Sequence, residues 1–215
     1  MDWMNAEFAA DDAAPHAERS GLLSETRLAT ELGWRPVEAL AEGDLVLTFD
    51  GGLRPLRGIT RRPLRATGSE TRRDFWPLEI AAEVIGNPRA LRLMPHQALL
   101  VESDLAERLC GDPFALLPAH ALRVLAGVEP ALPGPDEMIV QLHFAREEIV
   151  FGDQGLMFLC PAAHDLLEQA TGREAPSGYR LLPDALAQEI VQDVAQGPGR
   201  SAVRRGPWRP GPADA

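Results

Sequence analysis

The stretch GWRPVEALAEGDLVLTFDGG, residues 33–52, holds short β-forming runs punctuated by turn residues. In DLVLTF (44–49) apolar and β-branched side chains suit a pleated, half-buried strand. Asp50-Gly51-Gly52 follows, and Gly tolerates the positive φ that a tight hairpin turn requires. Gly43-Asp44 marks a turn on the other side.

Working outward, the same kind of run recurs at TRLAT (26–30), RPLRGITRR (54–62), WPLEIAA (76–82), ALRLMP (90–95), QALLVE (97–102), EMIVQLHF (137–144), EEIVFG (147–152) and GLMFLC (155–160). Many short strands broken by turns predict an all-β assembly. Helices are expected at SDLAERL (103–109), where Ser103 can cap, in a short piece near ALLPAHALRVL (115–125), and in PAAHDLLEQA (161–170) and LPDALAQEIVQDV (182–194). The last two are amphipathic and are expected to cover one face of the strands.

The 215 residues are enough for one good core, placed at 20–194. Residues 1–19 carry five acids against Arg19 and read as a disordered acidic arm; residues 195–215, rich in Gly, Pro and Arg, read as a disordered tail. With 21 basic and 32 acidic residues the net charge is −11, which argues against nucleic acid or anionic membrane as partner. Every basic residue is Arg, so P-loop, Schiff-base and lysine-base chemistries are excluded. Two cysteines, Cys110 and Cys160, make no disulfide framework, and no metal site or cofactor is expected. No basic leader followed by an apolar run is present near the start, and a cytoplasmic protein is expected, with only signal-independent export left open.

The run SGLLSETRLATELGWRPVEALAEGDLVLTFDGGLRPLRGITRR (20–62) resembles the start of the Hint (hedgehog/intein) domain in its short bacterial form. Thr26, Thr30, Val37, Glu38, Leu40, Gly43, Asp44, Val46, Leu47, Thr48, Asp50 and Gly51 carry the match. LRLMPHQALLVES resembles the family's second block and VQLHFAREEIV its third. The resemblance implies an all-β, Hint-type horseshoe of short twisted strands with one or two C-terminal helices. It further implies self-cleavage: a Cys or Ser attacks the preceding carbonyl while a His of the second block protonates the departing nitrogen.

On this alignment the three chemical positions are all substituted. Gly21 stands where the nucleophile belongs, Gln97 at the second-block His and Glu147 at the third-block His. A glycine cannot attack, and a Gln cannot shuttle a proton near pH 7. A catalytically degenerate domain serving as a non-catalytic interaction or structural module is therefore expected. The alternative is an active domain using Ser20 or Ser24 as nucleophile with His96 or His143. Against His96, neighbouring residues on a strand face opposite sides, so it cannot stand in for residue 97 without a slip or bulge. In REEIV, Glu147 reads as part of a solvated strand face.

Cys160 and His164 could pair as nucleophile and base, but such a Cys more simply closes a buried strand. The segment 54–73 holds Arg54, Arg57, Arg61, Arg62, Arg65, Arg72 and Arg73 against one Glu. It could meet an acidic partner, or remain a solvated hairpin paired with the acidic arm, with Phe75 and Trp76 entering the core. Any protein or peptide partner is otherwise unidentified.

Overall fold

The computed structural model describes residues 20–64, 73–163 and 179–196. The expectations for the acidic arm, for most of the tail, for PAAHDLLEQA beyond Ala163, and for Arg65, Arg72 and His164 lie outside the described residues.

Fourteen strands, all paired antiparallel, form three sheets among the described residues. One three-stranded sheet is β1 (Leu22–Leu23), β12 (Met138–His143) and β6 (Gly58–Pro63), with β12 central and Leu22 opposite Val140. An eight-stranded sheet runs β10 (Phe114–Pro118), β9 (Ala98–Glu102), β14 (Met157–Cys160), β13 (Glu148–Phe151), β4 (Leu45–Thr48), β2 (Arg27–Thr30) and β3 (Gly33–Pro36), with β5 (Gly52–Pro55) added on β4. The third sheet is β11 (Val128–Pro130), β7 (Leu78–Ile80) and β8 (Leu91–Leu93). Two helices accompany them, α1 (Asp104–Cys110) and α2 (Asp184–Gln196).

The opening stretch folds as its punctuation suggests. β4 and β5 form a hairpin across Asp50-Gly51, with Leu47 opposite Leu53, and the Thr48 hydroxyl accepts the Gly51 N–H at 3.2 Å. The loop between β3 and β4 is stitched by Asp44, whose carboxylate accepts from Ala41 N–H and from Arg35, each at 2.9 Å. Asp44 thus has a complete structural role.

All nine strand segments read from the sequence contain strands, and ALLPAHALRVL holds the short helical piece expected near it only in its second half. It forms β10 and then a 3₁₀ turn, Ala119–Val124. Pro118 has no N–H for a helix, while residues 114–118 pair along the whole of β9. Phe75 and Trp76 are half-buried rather than core residues, and Trp76 lies under the Arg73 guanidinium at 5.8 Å.

One main core spans the sheets, with Leu28, Leu78, Leu117, Phe144 and Phe158 fully buried, and α2 inserts Ala187, Ile190 and Val191 into it. No helix among the described residues is long and apolar enough to cross a membrane.

Candidate functional site

Three chain segments meet at the start of β1. Gly21 precedes the strand, Gln97 comes from the turn before β9, and Glu147 from the bend before β13; all three line one cavity of about 190 Å³. Ser20, His96, Gln141 and Cys160 line it too.

Gln97 is buried and its amide is fully used. Its Oε1 accepts the Gly21 N–H at 3.0 Å, while its Nε2 donates to the Leu159 carbonyl at 2.9 Å and to that of Ala98 at 3.1 Å. Gly21 can only donate here, so the amide must present its oxygen, which settles the orientation of the side chain. At the other end of the same peptide bond, Gln141 Nε2 donates to the Ser20 carbonyl at 3.3 Å. The Ser20–Gly21 bond is therefore held at both ends by neutral amides.

Gly21 adopts φ +127°, a conformation that L side chains rarely take. A Cβ placed on it would lie 2.5 Å from Ile139 Cγ2 and 3.3 Å from the Val140 carbonyl oxygen. The space a nucleophilic side chain would start from is occupied by β12.

Two expectations about neighbours need correction. His96 and Gln97 do not lie on a strand: Gln97 N–H donates to Met94 C=O at 3.0 Å, closing a turn, so both reach the cavity without a register slip. The His96 ring lies 5.0 Å from that of His120, whose Nε2 is 3.0 Å from Asp184 on α2. Nor is REEIV a solvated face. Glu147 is half-buried at the cavity, and Glu148 is buried beside Arg146 at 2.9 Å and Arg54 at 3.7 Å.

The other candidates are elsewhere. Ser24 lines a separate groove beyond β1, and His143 on β12 meets Thr60 Oγ1 at 3.1 Å outside the cavity. Cys160 is a free, buried thiol whose pKa burial pushes up to about 12, so it is protonated near neutrality. The basic segment is only partly solvated, since Arg61 donates to the carbonyls of Glu38 and Leu40 and Arg54 faces Glu148. Among the described residues no group of three or more His, Cys, Asp or Glu is placed to hold a metal ion.

Gln141 was not anticipated as a site residue. The β1–β12 register sets it across from Gly21, and no local pattern in VQLHF announces that pairing.

No curated protein matches the chain. Among solved structures it is similar to the bacterial intein-like domain from Clostridium thermocellum, at 12% identity and TM-score 0.45, over 66% of this chain and 98% of that one. It is also similar to the gp41-1 intein, at 10% identity and TM-score 0.39 over 66% and 98%, and to the MchDnaB-1 intein, at 13% and 0.36 over 64% and 98%. The family model described as the Hint domain matches residues 20–157. With well over half of its length covered by that match, the chain belongs to the Hint domain family.

Proposed function

We propose that this Hint domain has lost autoprocessing chemistry and serves as a non-catalytic interaction or structural module, with the Ser20–Gly21 bond left intact. The observation that carries this reading is Gly21 itself, which lacks a nucleophile and sits where β12 leaves no room for one.

The chemistry around it runs the same way. Departure of an amide nitrogen needs a proton delivered to it, whereas Gln97 Oε1 takes a hydrogen bond from the Gly21 N–H. Its donors are committed to two backbone carbonyls. The one thiol at the cavity is not ionised at neutral pH.

A second reading has one observation in its favour: Ser20 and His96 line the same cavity. In that reading the Ser20 hydroxyl attacks the preceding carbonyl and the Arg19–Ser20 bond is cut. Intact mass of protein carrying an N-terminal fusion, incubated with and without hydroxylamine or thiol, separates the two. A single uncleaved species over days is expected. Fragments ending at Arg19 would establish the Ser20 reading, and fragments ending at Ser20 would show that Gly21 is not a barrier.

A further inference from the structure

Leu22 and Leu23 point to opposite sides of β1, as neighbours on a strand do. Leu22 lines the cavity at Gly21, whereas Leu23 lines a separate groove of about 690 Å³, a volume typical of ligand sites.

One wall of that groove is residues 90–93, at the outer edge of the sheet formed by β11, β7 and β8. Ala81 N–H donates to Gly127 C=O and Ala131 N–H to Pro77 C=O, so residues 77, 79 and 81 bond to the β11 side. Leu78 and Ile80 therefore bond to Leu93 and Leu91. The backbone N–H and C=O of Arg92 consequently point away from β7, to an edge where no strand among the described residues pairs with β8. The Arg92 side chain also has an unmet donor. Its Nε–H is buried without an acceptor, while its terminal nitrogens hold Glu137 at 2.9 Å and the Leu132 carbonyl at 2.7 Å.

Charge supplies the sign of an occupant. The groove is lined by five carboxylates against three guanidinia. Asp153, half-buried there, has its pKa raised by burial, against the lowering pull of Arg89 at 3.3 Å and of Arg27. On β7, Glu79 is an exposed carboxylate opposite Arg92.

We propose that the groove binds an extended, basic peptide segment of a partner protein, added as a further strand on the edge of β8 that no described strand pairs. About four residues fit the four positions 90–93, at roughly 3.3 Å per residue. The peptide backbone pairs with the N–H and C=O of Arg92, and its basic side chains meet Asp153 and Glu79. This rests on the reading of the domain as an interaction module and names its surface and ligand.

The probe is a fluorescein-labelled hexapeptide of alternating Arg and Val, titrated into the full chain at low and physiological salt. A Glu–Val counterpart and an Arg–Val peptide N-methylated at alternate amides serve as controls. Expected are saturable binding of the first peptide and at least about tenfold weaker binding of both controls. Salt should weaken binding, and Asp153→Asn and Glu79→Gln should each weaken it about fivefold. Hydrogen exchange at the Arg92 amide should slow in the complex. Glu79 is exposed on its strand, so its variant keeps the test valid if Asp153→Asn fails to fold. Equal binding of the Glu–Val peptide, unchanged affinity in both variants, or no protection at Arg92 would overturn the proposal. Concentration-dependent dimerisation that protects Arg92 without peptide would also overturn it, by making a second copy the occupant. Binding and chain cleavage are read separately, so failure here leaves the intact-mass result standing, and the reverse.

Discussion

At the scale of single residues, the proposed loss of chemistry rests on one missing Cβ and one hydrogen bond that runs from the Gly21 N–H to Gln97. Gly21 combines φ +127° with a wall formed by Ile139 and Val140. Gly21→Ala should therefore cost about 2–3 kcal/mol, from backbone strain and overpacking together, seen as a lower urea midpoint at unchanged slope. An unchanged midpoint would mean that β1 can shift to admit a side chain, and would weaken the case against a nucleophile at this position. The identities at 21, 97 and 147 were legible from the resemblance, because side-chain chemistry is local information. The partners of these residues were not: Gln97 reaches Gly21 across 76 positions and Gln141 reaches Ser20 across 121.

Among the elements, α1 is a case where local rules decide. Ser103 Oγ accepts from the amides of Leu105 at 3.1 Å and Ala106 at 3.2 Å, as the sequence SDLAERL leads one to expect. Ser103→Ala should cost about 1 kcal/mol, measured by chemical denaturation; no loss would mean that packing, not the cap, sets the start of the helix. β10 shows the opposite situation. Its residues carry apolar spacing compatible with a helix, yet pairing with β9 and burial of Leu116 and Leu117 select a strand. The turn before β9 is a further instance, since it places His96 and Gln97 on one cavity where a continuous strand would separate them.

For the whole molecule, the two cysteines report on global opening. Cys110 ends α1 exposed, whereas Cys160 is buried in the main core. Native protein at pH 8 should take up one iodoacetamide adduct quickly and the second only at the rate of unfolding, read by intact mass; two fast adducts would show that β14 opens locally. Burial raises the folded-state pKa of Cys160 from 9.0 to about 12, so the unfolded chain ionises first. Its contribution to stability is fully present below about pH 9 and is lost as pH rises toward 12. Cys160→Ala should flatten the decline of stability with pH in that window, and an unchanged slope would rule this origin out. By itself the sequence determined the strand-and-turn grammar around GWRPVEALAEGDLVLTFDGG, the absence of lysine chemistry and the glycine at position 21, since composition, alternation and turn preference are properties of neighbours along the chain. Only the tertiary structure decided the convergence of Gly21, Gln97 and Glu147, the amide clamp on the Ser20–Gly21 bond, and the edge of β8 that, among the described residues, no strand pairs, beside an acidic groove. Those depend on which distant strands pair and in what register, and short strands that can slide past one another leave that choice to the packing of the whole core.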